Sequence, residues 1–116
     1  MLTETLRLSA EHGRVRLKLV CLPLGRDLCV TLSGGDREHI GAVALGQADG
    51  TTESLLVPRH REEELARKLA GRLARHAQAT VSVACGIHLE KIQPAEIADV
   101  LALADQLTDD LIRWLS

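Results

Sequence analysis

The sequence predicts an α+β fold, a largely antiparallel sheet of about six strands with two long helices packed on one face. Three observations predict it. Apolar and polar residues alternate through the first half of the chain, as they do in strands with one buried face. From Arg61 onward the apolar residues recur at helical spacing, and a second helical stripe runs nearly to the last residue. One short apolar run separates these two stripes.

The first three strands are predicted from strict alternation. "ETLRLSA" alternates around Leu6 and Leu8, and "EHG" after it is a candidate hairpin turn. In "RVRLKLVCLP", alternate residues from Val15 to Cys21 are apolar and share one face. "RDLCVTLS" has the same pattern from Leu28 to Leu32.

The next segment, "GGDREHIGAVALG", has two interpretations at its start. Gly34 and Gly35 could cradle a phosphate with Arg37 as its cationic partner, but an ordinary hairpin connection is favoured. "HIGAVALG" is apolar at almost every position, which predicts a central strand covered on both faces. Gly41 within it indicates close approach by a ligand or by another element. "ESLLVP" is a fifth strand that ends at Pro58.

The remaining elements are two helices and a strand. The first helix has three glutamates in its first turn and basic residues near its end, as the helix dipole favours. "ATVSVAC" is a β-branched strand, and Pro94 opens the second helix at a first-turn position. The predicted inward stripe of the second helix is Ile97, Val100, Leu101, Ala104, Leu107, Leu111 and Trp114.

Composition limits the class of protein. The 116 residues predict a single domain, residues 1–116. Trp114 is the only aromatic residue, so the core is aliphatic, and a homodimer would bury more of it. The net charge of −2 without a basic block argues against nucleic-acid binding. Three cysteines without a CxxC pair, no signal peptide and no long apolar run predict a cytoplasmic protein outside the membrane.

"CGIH" carries the first candidate site. Cys85 and His88 would supply only two of the four ligands that zinc normally takes. If the strand continues to His88, the two side chains point to opposite faces, which weakens a Cys–His catalytic dyad. Two interpretations remain, a buried cysteine beside a histidine at the strand end, or a histidine that contacts a ligand.

Three histidines lie at predicted element boundaries. His39 begins the apolar strand, His60 leads into the first helix, and His88 follows the last strand. Pockets in layered sheets form at such ends, so convergence of the three would make a polar ligand site. Arg59 beside His60 could hold an anion at the helix start, although a solvated loop is the simpler interpretation.

The segments "HIGAVALG", "VPRHRE" and "VSVACGIHLEKIQPAEI" together resemble the prenylated flavin chaperone (LpdD-like) family, whose members include the accessory small subunit of gallate decarboxylase. The resemblance covers roughly residues 30–112, and the same order of elements resembles the eukaryotic proteasome-assembly chaperones. It implies a homodimer without catalytic activity that loads prenylated FMN, or FMN, into a UbiD-like decarboxylase. By position, five residues match the family's pattern: His39, Gly41, His60, Gly86 and His88.

For such a flavin, Arg37 and Arg59 are candidate phosphate contacts. The sequence departs from the family's pattern at Glu90, where Asp is expected, and at Arg59, where a small residue is expected. Two other functions remain open at this point. One is an assembly chaperone that acts as a protein-binding dimer without a small ligand. The other is a small enzyme that uses Cys85 or a histidine, which a reactive, low-pKa thiol would favour.

Overall fold

The computed structural model describes residues 2–58 and 62–116. Within them, strands and helices follow one another in the predicted order, which confirms the fold class. The elements are β1 (Leu6–His12), β2 (Val15–Leu24), β3 (Asp27–Gly35), β4 (Arg37–Gly46), β5 (Thr52–Leu56), α1 (Glu63–Ala77), β6 (Val81–His88) and α2 (Pro94–Leu115).

The six strands form one sheet in the order β1-β2-β3-β6-β4-β5. The last strand, β6, is inserted between β3 and β4. It runs parallel to β3 and antiparallel to β4, and the other neighbouring pairs are antiparallel. This order brings the end of β6 next to the start of β4, where the candidate site lies.

The interpretation of "GGDR" as a hairpin is wrong, because β3 and β4 each pair with β6 and not with one another. The chain passes over the end of β6 at Asp36, whose backbone N–H donates to the His88 carbonyl at 2.6 Å. Gly35 allows this crossing with a φ of +77°, since a Cβ there would lie 2.0 Å from the same carbonyl oxygen.

The core lies between one face of the sheet and the two helices. Alternate residues of β2 and β3 are buried, as their pattern predicted. They share one core cluster with Leu69 and Leu73 of α1, which packs on β4 and β6, and with Leu107 and Leu111 of α2, which packs on β1 and β2. All four leucines are fully buried. Each such aliphatic side chain contributes about 1.5–3 kcal/mol of hydrophobic stabilisation.

Two predictions about burial are wrong. In β4, Ala42 and Ala44 are buried, but Val43 and Leu45 are 40% and 43% exposed, because neither helix nor any other described part of the chain covers the second face of the sheet. In α2, the face that packs on β1 and β2 is rotated from the predicted stripe. It takes in Leu103 and Thr108 and leaves three predicted residues exposed: Ile97, Leu101 and Trp114.

The junction between β6 and α2 is held in place by Arg14 from the β1–β2 turn. Its guanidinium donates to the Glu96 carboxylate at 2.6 Å and to the Glu90 carbonyl at 2.7 Å. Arg14, with the backbone N–H of Gln93, keeps the pKa of Glu96 below its ordinary value. Glu96 and Gln93 also form a capping box that begins the helix. Neither helix, over the residues described, is long and apolar enough to cross a membrane.

Candidate functional site

The candidate site lies where the end of β6, the start of β4 and the start of α1 meet. The register between β4 and β6 is interrupted here, since Glu38 pairs with Ile87 but Ala42 pairs with Cys85. Residues 39–41 therefore bulge opposite Gly86 alone. A Cβ on Gly86 would lie 1.7 Å from the His39 carbonyl oxygen, so glycine at this position lets the two backbones approach closely.

Glu62 fixes the side chain of His39. Its Oε1 lies 3.1 Å from His39 Nε2 and accepts the Ile87 backbone N–H at 3.4 Å. The Glu62 side chain is only 12% exposed. A Cβ on Gly41 would lie 2.3 Å from Glu62 Oε2, so Gly41 provides the space in which this carboxylate sits.

His88 completes the arrangement. Its ring lies edge-on to that of His39, with 6.4 Å between centroids and 77° between planes, within the range of favourable aromatic contacts. His88 Nε2 is 3.0 Å from Glu90 Oε2. We call these four side chains the histidine cluster: His39, Glu62, His88 and Glu90.

The structure thus brings together two of the three histidines considered from the sequence. Arg37 lies opposite His88 in the β4–β6 ladder and is exposed. Arg59 and His60 lie outside the described residues. Gly34 serves strand packing, since a Cβ there would lie 2.1 Å from the Arg16 carbonyl oxygen.

Glu62 is the residue that the sequence did not single out. In the sequence Glu62 is one of three glutamates in the predicted first turn of the helix. The helix dipole favours acidic residues at that position, so no ligand is needed to explain them. The one signal for it was Gly41, whose position indicated close approach by another group. The approaching group is the Glu62 carboxylate.

The charges around the cluster are mixed. The Ser33 hydroxyl donates to Glu38 at 2.5 Å, and Lys18 lies 3.0 Å from the same carboxylate. These two groups, Ser33 first, lower the pKa of Glu38. Within the cluster each histidine lies beside one carboxylate, an arrangement that suits a ligand carrying both donors and acceptors.

Cys85 belongs to the core and not to the cluster. It is fully buried on the face of β6 that packs on the helices. Burial, with a smaller contribution from the Glu62 charge, raises the pKa of its thiol to about 12, so almost no reactive thiolate exists near neutral pH. No group of three potential metal ligands occurs among the described residues.

A cavity of about 620 Å³ lies beside the cluster, between α1 and α2. We call it the helix groove. Glu62 lies at its rim and so borders both the groove and the histidine cluster. The apolar side chains that line it are Leu65, Ile87, Ile92, Ile97, Val100 and Leu101.

The other face of the sheet is an apolar surface, which we call the open sheet face. One row crosses four adjacent strands and contains Leu55, Val43, Ala84 and Thr31. Leu55 is 80% exposed, and Leu22 and Leu45 add exposed apolar area next to it. Contiguous exposed apolar surface of this kind marks interaction sites in many proteins.

The six-stranded sheet with its single helical layer is a fold found in a known class of protein. The chain belongs to the prenylated flavin chaperone LpdD-like domain family, whose model matches residues 11–116. This confirms the resemblance found in the sequence, and the family is one of chaperones, in agreement with the prediction that the protein is not an enzyme.

Among individual proteins, the chain is similar to Protein LpdD of Lactiplantibacillus plantarum. The two are 26% identical over 112 residues, which is 92% of this chain and 82% of that protein. The fold is similar to that of a chain in a crystal structure of a chaperone complex for yeast 20S proteasome assembly. The TM-score is 0.68 at 14% identity, with both chains fully covered, and at this identity the likeness concerns the fold alone.

Proposed function

We propose that the protein, as a single domain of residues 1–116, is a non-catalytic accessory chaperone. It binds prenylated FMN, or FMN, as cargo and delivers it to a UbiD-like decarboxylase. Membership of the prenylated flavin chaperone family supports the cargo class. Three free cysteines support a reducing cytoplasmic location.

The observation that carries this proposal is the geometry of the histidine cluster. Its imidazole N–H groups can donate and its carboxylates can accept, and the pyrimidine edge of a flavin presents both carbonyls and an N–H. Gly41 and Gly86 leave the space that the Glu62 carboxylate and the His39 backbone occupy, since a Cβ at either position would clash with them. We further propose Arg37, Arg59 and His60 as contacts for the phosphate, because guanidinium and imidazolium groups bind phosphate oxygens well.

Native mass spectrometry of the full chain with prenylated FMN tests this proposal. The wild type should gain one cargo mass per chain, with a change in the flavin absorption spectrum. His39→Ala and His88→Ala should weaken binding by about tenfold, as expected for the loss of a hydrogen bond to a polar ligand. His12→Ala is the matched control, because His12 is an exposed histidine at the end of β1. Absence of both the mass shift and the spectral change in the wild type would refute the proposal.

We also propose that the active form is a homodimer joined through the open sheet face. Two sheets can stack face to face about 10 Å apart when their inner faces are apolar, and Val43, Leu45 and Leu55 would then be covered. Leu45→Arg should convert the dimer to a monomer in analytical ultracentrifugation. Leu101→Arg, a substitution of similar exposure on the helical side, should not. A Leu45→Arg protein that remains dimeric would exclude this interface.

A second candidate function is an assembly chaperone that binds proteins through the open sheet face and carries no small ligand. The extent of that apolar face favours it. Decarboxylase activation by the His39→Ala, His88→Ala double variant separates the two functions. Full activation by this variant supports the assembly chaperone, whereas loss of activation with an intact dimer supports the cargo carrier.

A further inference from the structure

The helix groove forms where the ion pairs between α1 and α2 end. Further along the helices, Lys68 pairs with Asp105 at 3.2 Å and Arg72 pairs with Asp109. Both pairs are separated by 37 residues, so the helices run side by side in the same direction. One turn earlier, the same spacing places Glu64 opposite Leu101, and the series of ion pairs ends.

Beyond that point no element among the described residues covers the exposed apolar side chains of α2. Ile97 and Leu101 are 48% and 51% exposed, and Ile92 in the preceding loop is also exposed. Leu65 of α1 and Ile87 of β6 form the facing walls. Three elements therefore enclose an apolar space, and it lies on the opposite side of the sheet from the open sheet face.

The size and shape of the groove favour a small molecule over a protein segment. Its volume of about 620 Å³ falls within the usual range for small-molecule sites, about 300–1,000 Å³. A bound helix would need apolar contacts over two turns. On the α1 side the described lining contains one apolar residue, Leu65, together with charged residues such as Glu64 and Lys68, and Lys68 pairs with Asp105.

We infer that the helix groove binds the apolar ring of the carried molecule, while His39 and Glu62 of the histidine cluster bind its polar edge at the end of β6. Glu62 connects the two parts, since its carboxylate contacts His39 and the backbone of Ile87, and the Ile87 side chain lines the groove. The identity of the cargo rests on the proposed function. The groove itself distinguishes a flavin that carries an added apolar ring from unmodified FMN.

Methyl NMR of the full chain, with labelled Ile and Leu side chains, tests this inference. Three probes are titrated separately: prenylated FMN, FMN, and the neutral apolar dye N-phenyl-1-naphthylamine. The methyls of Ile87, Ile92 and Ile97 should shift with prenylated FMN and with the dye, but not with FMN. Ile97→Gln and Leu101→Gln should weaken binding of both by at least about tenfold. Leu24→Gln, an exposed leucine at the end of β2, is the control and should bind normally.

The outcomes separate the groove from the proposed function. If the dye shifts the groove methyls and Leu101→Gln weakens it while prenylated FMN does not bind, the groove stands and the cargo assignment fails. If prenylated FMN binds without shifting these methyls and the variants bind it normally, the groove inference is wrong and the cargo assignment stands. Groove methyls that respond only to the decarboxylase would also overturn the inference, in favour of protein docking.

Discussion

Replacing Gly86 by alanine should destabilise the protein through a backbone clash. The added Cβ would lie 1.7 Å from the His39 carbonyl oxygen, whereas real Cβ contacts stay at 3.0 Å or more. The strands must separate locally by about 1.3 Å, which stretches a hydrogen bond of about 2.9 Å beyond its useful range. Gly86 has no positive φ, so the effect comes from the contact and not from backbone torsion.

The magnitude follows from what the separation breaks. Loss of two ladder hydrogen bonds costs about 1–3 kcal/mol, and the strain of overpacking adds about 1–3 kcal/mol. Alanine also stabilises by about 0.4–1 kcal/mol, because it reduces the freedom of the unfolded chain. The free energy of unfolding should therefore fall by about 3 kcal/mol, the middle of a range of about 1–5 kcal/mol, and Tm by about 10 °C for a domain of this size.

Thermal and urea unfolding followed by far-UV circular dichroism measure this change. The control is Gly25→Ala, because Gly25 has a φ of +63° but no atom within 4 Å of the position that an added methyl group would take. It should lose only about 1–2 kcal/mol, the cost of the left-handed conformation. A Gly86→Ala protein as stable as Gly25→Ala would refute the close approach of β4 and β6 at the bulge.

Three further predictions concern the cluster, the core thiols and the core. Gly41→Ala should lower cargo affinity by about tenfold, which titration measures. It should lower the free energy of unfolding by only about 1 kcal/mol, measured by calorimetry, because the Glu62 carboxylate can move away from the added methyl group, whereas a backbone cannot. Burial raises the pKa of Cys85 from 9.0 to about 12 and that of Cys21 to about 11. The unfolded chain then loses these protons first, so stability falls as pH rises from about 9 towards 12, and Cys85→Ala should make that slope shallower in urea unfolding. Leu107→Ala should cost about 2–5 kcal/mol and the half-exposed Leu101→Ala less than about 1 kcal/mol; equal losses in urea unfolding would place Leu101 in the core.

The local elements were predictable because their signals are local. Alternation from Val15 to Cys21 specified both a strand and its buried face, and Pro94 marked the start of α2. The position of β6 was not predictable in the same way. Its parallel pairing joins Leu28 to Val81 across more than forty intervening residues, and no short-range pattern distinguishes that arrangement from a hairpin between β3 and β4.

The orientation of α2 is a second feature that the sequence pattern could not predict. Its apolar residues cover more of the helix circumference than one contact surface can bury, so periodicity alone permits several inward faces. Packing on β1 and β2 selects the face that contains Leu103 and Thr108. Thr108 is tolerated there because its hydroxyl donates to the Ala104 carbonyl at 2.7 Å. Ile97 and Leu101 become the wall of the helix groove as a result.

Gly41 and Gly86, the two glycines at the site, have different physical roles. The atom next to Gly86 is the backbone carbonyl oxygen of His39, so no side-chain substitution elsewhere can relieve the clash that an added methyl group would cause. The neighbour of Gly41 is the Glu62 carboxylate, which a second substitution removes. In a double-mutant cycle, Glu62→Ala should therefore cancel most of the stability cost of Gly41→Ala and none of the cost of Gly86→Ala. Cargo binding should stay weak in every member of the cycle that lacks Glu62, since the Glu62 carboxylate is itself part of the histidine cluster. Additive stability effects for Gly41 and Glu62 would show that the carboxylate does not occupy the space beside Gly41.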